Sequence, residues 1–115
     1  MIGKGVIIVD FDGTIVENRF PNMGKLLPGV KKSFEKIKEK GYEIYIHSCR
    51  TSSDLYPHLI DRSVQVDLMR EVLDKNEIPY DHIITDMDKP IASYYIDDRG
   101  IGFRGSWEDT LKEIE

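Results

Sequence analysis

The sequence predicts an α/β domain with a mostly parallel sheet, and three observations carry that reading. A β-branched run, Val6-Ile7-Ile8-Val9, breaks into the polar string Asp10-Phe11-Asp12-Gly13-Thr14. Further strand-like runs alternate with segments of helical period. The first, second and fourth strand candidates run directly into chemically able residues: Asp10, Ser48 and the Asp97-Asp98 pair. With 115 residues, 40% of them hydrophobic, the chain has the material for one core, and a single domain over 1–115 is expected.

Taken in order, Val6–Val9 is a continuous apolar run, as in a strand buried on both faces. Residues 15–28 carry turn chemistry (Asn18, Pro21, Asn22, Gly24, Pro28) and read as a loop or tight flap. Pro28-Gly29 leads into a helix with Val30, Phe34 and Ile37 on one face, and Lys40-Gly41 supplies its basic end and stop. Tyr42–His47 is the second strand, ending at Ser48, followed by a loop through Ser52, Ser53 and Pro57. Val64, Leu68 and Val72, with Met69 and Leu73 beside them, mark a helix that stops by Pro79. Asp81–Thr85 is a weaker third strand and Ser93–Ile96 a fourth, with Gly100–Phe103 a candidate edge piece. The last helix has Ser106 as N-cap, Asp109 three residues on, and Trp107, Leu111 and Ile114 on one face.

Composition excludes several classes. No apolar run approaches the roughly 20 residues of a membrane span, and the opening Met1–Gly5 is not that of a signal peptide. A lone cysteine excludes an internal disulfide framework, so a cytoplasmic chain is expected. The net charge of −5 argues against a large nucleic-acid footprint, although a local basic groove stays open.

In an open α/β sheet, ligands bind just outside the carboxyl ends of the strands. There this sequence carries Asp10 and Asp12, then Ser48 and Arg50, then Asp97 and Asp98, with Lys89 on the approach to the fourth strand. Four carboxylates brought together repel one another unless a cation sits among them. Oxygen-only ligands favour a hard divalent ion, and Mg²⁺ fits best because it keeps waters and shares phosphate oxygens.

Asp10-Phe11-Asp12-Gly13-Thr14 after an apolar strand, Ser48 after the second, Lys89, and the Asp97-Asp98 pair resemble the four motifs of the haloacid dehalogenase-like phosphohydrolases. The resemblance spans residues 6–103 in the right order. It implies a three-layer Rossmann-like domain with the first strand central. Asp10 is then the nucleophile that forms an aspartyl-phosphate, already ionised at neutral pH. Asp12 is general acid for the leaving oxygen and then base for the hydrolytic water. Ser48 and Lys89 hold phosphoryl oxygens, and Lys89 also neutralises Asp10. Asp97 ligates Mg²⁺ beside Asp10 and the main-chain carbonyl of Asp12, with Asp98 acting through water. Gly13 and Thr14 shape the substrate-side turn behind the nucleophile.

Many members of that family carry a cap domain. Residues 15–27 fall far below the roughly 40 residues a unit needs to fold alone, so the chain resembles a capless member. Such members act on large substrates or cover the site by forming a homo-oligomer. Ser48-Cys49-Arg50 also resembles the second motif of polynucleotide kinase–phosphatases, where the arginine assists substrate binding; from the residues alone Arg50 reads equally as a substrate clamp or as a loop ion pair. The substrate is thus a phosphorylated metabolite, a nucleotide or a nucleic-acid end. A phosphotransferase with an acceptor other than water, or a non-catalytic phosphate- or partner-binding module, are the alternatives.

Other patterns read as structural. An EF-hand loop needs glycine at its sixth position, where this chain has Ile15 after a strand. Gly100–Gly105 matches G-x-G-x-x-G but lacks the βαβ unit and following acid of a dinucleotide site. A cysteine-phosphatase loop starting at Cys49 needs arginine where Leu55 stands, so Cys49 reads as a small packed residue. His47, His58 and His82 lack metal-ligand spacing. The lysines at 31, 32, 36, 38 and 40 read as a solvated helix face, with a phosphate-backbone patch as the sharper alternative. Arg99 reads as a structural ion pair, and Arg19 and Lys25 lie on the flap.

Overall fold

A computed structural model describes residues 4–51, 62–85 and 91–114. Lys89, His58 and the loop through Ser52, Ser53 and Pro57 lie outside the described residues. The elements are β1 (Gly5–Asp10), α1 (Val30–Glu39), β2 (Tyr42–His47), α2 (Arg62–Lys75), β3 (His82–Ile83), β4 (Tyr94–Ile96) and α3 (Trp107–Lys112). A short 3₁₀ turn over Cys49–Thr51 follows β2. The four strands pair in parallel in the order β3-β2-β1-β4, a Rossmann-like sheet with β1 inside it. Among the described residues no helix is long and apolar enough to cross a membrane.

Strand register explains the core. Ile7 pairs with Ile44 and Val9 with Ile46, which puts these four side chains on one face of the sheet. Val30 and Phe34 of α1 and Met69 and Leu73 of α2 join the same cluster, so both helices cover that face. This follows from topology: successive right-handed crossovers moving in one direction deposit their helices on one side. α1 ends with Lys40 and then Gly41, whose φ of +96° is left-handed.

Three local expectations are corrected. The buried side of α2 is Val66, Met69 and Leu73, while Val64 and Leu68 point to solvent. Two interleaved apolar stripes were available on this helix, and the sheet selected the one that reaches Ile44 and Ile46. Gly100–Phe103 forms no strand. Asp97 instead closes a turn there, its Oδ1 accepting from the backbone N–H of Arg99 and of Gly100. α3 has its expected cap, with Ser106 Oγ accepting from Asp109 N at 3.3 Å, yet none of its residues is buried.

Residues 15–27 form a flap folded back on itself. Val16 bridges to Leu26, Glu17 N donates to Lys25 O, and Leu27 N donates to Ile15 O. Ile15 and Val16 are buried, which anchors the flap's base beside Phe11 in the core. On the far side of the core, Lys38 pairs with Asp81 at 2.6 Å and Lys31 with Glu77 at 3.2 Å. Two of the five lysines around α1 are therefore engaged in ion pairs.

Candidate active site

At the carboxyl end of β1 the chain turns sharply. Ile15 N and Val16 N both donate to Phe11 O, and Gly13 N donates to Val16 O at 2.8 Å. Gly13 sits at φ +86°, and a Cβ there would lie 2.3 Å from Asp98 Oδ2. Glycine is needed for both reasons, since only it takes this conformation freely and lets Asp98 approach the turn.

Asp10, Asp12, Asn18, Phe20, Cys49, Asp98 and Arg99 line one cleft of about 320 Å³. A second pocket of about 220 Å³ also contains Asp10, Asp98 and Arg99, and adds His47, Tyr95, Ile96 and Asp97. The two share the Asp10–Asp98 junction, so β1 and β4 bring three of the four expected aspartates to the cleft and the fourth, Asp97, beside it.

Burial pushes the Asp10 carboxyl up to about 7, opposed by the Phe11 backbone N–H and reinforced by the hydrogen bond and charge of Asp98 and by Asp12. The expectation of an Asp10 fully ionised at neutral pH is therefore corrected. Two neighbouring carboxylates repel unless a proton or a cation lies between them. The Cys49 thiol is likewise pushed up, by burial and by Asp12 and Asp10. Cys49 is exposed at the cleft rather than packed away, because the 3₁₀ turn after β2 swings it outward.

Arg50 is fully buried, and its role differs from that of a substrate clamp. Its Nε donates to Asp12 Oδ2 at 2.8 Å and its Nη2 to Asp12 Oδ1 at 2.7 Å. The remaining N–H groups reach Pro21 O, Asn22 O and Gln65 Oε1. A guanidinium has five N–H donors, and all five have partners here. Phe20 and Phe11 lie over its planar carbon at 5.1 and 5.9 Å. Arg50 thus fixes Asp12, the flap and α2 to one another and has no donor left for a ligand.

Ser48 is buried as well, and lines neither pocket. Its Oγ accepts from Arg50 N at 3.1 Å and closes the turn after β2, which leaves the hydroxyl proton free to be donated. Thr14 Oγ1 is buried without a hydrogen-bond partner among the described residues, a costly arrangement unless water or a ligand meets it. Arg99 makes no ion pair among the described residues and lines both pockets, which puts a cationic side chain at this site where the sequence suggested a structural ion pair. Its position after the Asp97-Asp98 pair was the available signal. Arg19 and Lys25 line a separate groove on the flap.

No group of three His, Cys, Asp or Glu side chains among the described residues gathers tightly enough to cage a metal. The donors present do suit a hard cation that keeps most of its waters, since Asp10, Asp12 and Asp98 line one cleft with carboxylate oxygens. Asp98 is the neighbouring carboxylate that raises Asp10, while Asp97 Oδ1 accepts within its own turn.

No protein-family model and no curated protein matches the chain. Two solved structures do. A conserved protein from Bacteroides thetaiotaomicron shares 22% identity over 96% of this chain and 92% of its own, with a TM-score of 0.66. An MCSG target from Vibrio cholerae shares 26% identity over 84% of this chain and 81% of its own, with a TM-score of 0.54. Neither carries a functional name, and the likeness establishes the parallel α/β fold.

Proposed function

We propose that this chain is a Mg²⁺-dependent phosphomonoester hydrolase that works through an aspartyl-phosphate on Asp10. The observation that carries the reading is the placement of Asp10 and Asp12 on one cleft at the end of an interior parallel strand, with Asp98 meeting Asp10 from the neighbouring strand. Asp10 attacks phosphorus and Asp12, held in register by Arg50, handles the proton of the leaving oxygen and then of the water. Arg99 lies where it can meet a phosphoryl oxygen, and Lys89 keeps the role implied by its motif. Asp10, Asp98 and the carbonyl of Asp12 would hold Mg²⁺, which supplies charge neutralisation at the transferring group.

The open cleft admits a phosphorylated metabolite, a nucleotide or a nucleic-acid terminus. Phosphate release from a panel of these, with Mg²⁺, with EDTA, and with Asp10→Asn as blank, tests the proposal. Release that requires both Mg²⁺ and Asp10 supports it. Silence from folded protein that binds Mg²⁺ transfers the assignment to a phosphotransferase or a binding module.

A further inference from the structure

The flap carries two cations that the described fold does not use. Arg19 and Lys25 are exposed and make no ion pair among the described residues. Both line one groove of about 250 Å³, together with Glu17, Asn22, Met23 and Gly24. Backbone bonds hold its walls: Glu17 N donates to Lys25 O and Asn22 N to Arg19 O, each at 2.8 Å. A Cβ at Gly24 would run into the backbone O of Glu17, so the two arms of the flap cross at closest approach there. Glu17, the carboxylate of the lining, turns its Oε1 to the backbone N–H of Lys25 at 3.4 Å. The groove therefore sets two positive charges against one negative, in a chain whose net charge is −5.

This groove adjoins the cleft of Asp10. Asn18 and Phe20 line the cleft with Asp10 and Asp12, while Arg19 between them lines the groove. Successive Cα atoms are about 3.8 Å apart, so one stretch of backbone separates the two spaces. The flap is also fixed to the residue that sets the direction of the leaving group. Arg50 donates to both oxygens of Asp12 and, through its other N–H groups, to Pro21 O and Asn22 O. In an in-line displacement the leaving oxygen departs on the side opposite Asp10 and takes its proton from Asp12. Whatever is attached to that oxygen is carried toward the flap.

We infer that the flap groove holds a second phosphoryl group of the ligand whose first phosphoryl group meets Asp10, with Arg19 and Lys25 as its partners. The preferred ligands are then doubly phosphorylated molecules rather than simple monophosphates. The inference rests on the hydrolase reading for the direction in which the leaving group lies. A phosphate dianion matches two cations: Arg19 offers a planar fork of donors, and Lys25 adds a compact charge beside it. A carboxylate, with a single charge, matches the pair less well. Sugar bisphosphates and nucleoside bisphosphates both present this chemistry.

Two pairs of ligands test it: fructose 6-phosphate against fructose 1,6-bisphosphate, and adenosine 5′-monophosphate against adenosine 3′,5′-bisphosphate. At least one bisphosphate should exceed its monophosphate in kcat/KM by about 10–100-fold, the size of one or two charge-assisted contacts at a partly open site. The pair that responds identifies the source of the second phosphate. The ratio should shrink at about 1 M salt, where charges are screened beyond about 3 Å. Arg19→Gln with Lys25→Gln, both at exposed positions, should keep the Tm and bring the ratio to within about threefold of unity. Calorimetric titration of the same ligands into Asp10→Asn, with and without the flap substitutions, reads the groove without turnover. A binding preference lost with those substitutions supports the groove even where no ligand is hydrolysed, and then the hydrolase reading alone falls. Equal efficiency on both members of each pair, or a preference that survives Arg19→Gln with Lys25→Gln, overturns the groove and leaves the hydrolase reading standing.

Discussion

Arg50 and Asp12 form a two-bonded ion pair, at 2.7 and 2.8 Å, in which the arginine is 0% and the aspartate 8% exposed. The pair joins the end of β2 to the turn after β1, and the other donors of Arg50 carry the link on to the flap and α2. An aspartate held at both oxygens has one orientation, which is what a group that transfers protons at a fixed place requires.

Removing one partner of a buried pair leaves the other without compensation. Arg50→Ala should therefore cost about 3–5 kcal/mol in denaturant unfolding, far beyond the loss expected of a surface arginine. Arg50→Lys keeps the charge but not the planar fork, and should retain the fold while lowering kcat more than it changes KM. Equal losses of activity and stability across both variants would show Arg50 to be structural only.

Asp12→Asn preserves shape but cannot exchange a proton, and its amide nitrogen no longer accepts from Arg50. Phosphate release should fall about 10²–10⁴-fold, with binding of inorganic phosphate retained by calorimetry. Unchanged turnover would remove Asp12 from acid–base chemistry.

The Asp10 carboxyl stands at about 7 in the folded chain against an ordinary 3.8. Between those values the folded state holds a proton that the unfolded chain has released, so metal-free stability should be highest near pH 4 and decline toward pH 7. Asp10→Asn should flatten this profile and be the more stable form above pH 7. After discounting for solvent screening the gain is about 1 kcal/mol, or about 4 °C in Tm. Mg²⁺ should raise the Tm of the native chain at that pH and leave Asp10→Asn unmoved.

Gly13→Ala places a methyl group against Asp98 and forces φ +86° on a residue with a Cβ. A stability loss of about 1–2 kcal/mol is expected from the backbone alone. Displacement of Asp98 should also abolish the thermal shift with Mg²⁺. Retention of that shift would separate Asp98 from the metal.

Much of this was legible in the sequence because it depends on local order. The run Val6–Val9, the stop at Lys40-Gly41 and the Ser106 cap each act through neighbouring backbone, and each lies where its chemistry placed it. Asp10, Asp12 and Asp98 were legible as cleft residues because strand ends of a parallel sheet share one edge. The partners of Arg50 and Ser48 were not. Both sit just after β2, and either could have faced a ligand; Asp12 and the flap carbonyls took up the donors of Arg50, and Ser48 Oγ accepts from Arg50 N.

The sequence by itself determined the alternation of strands and helices and the aspartates at the ends of β1 and β4, since period and turn chemistry are local properties. Tertiary structure decided which stripe of α2 is buried, that Arg50 belongs to Asp12, and that the apolar face of α3 is open. Those outcomes depend on which surfaces meet across the fold, and no spacing along one chain segment encodes that meeting.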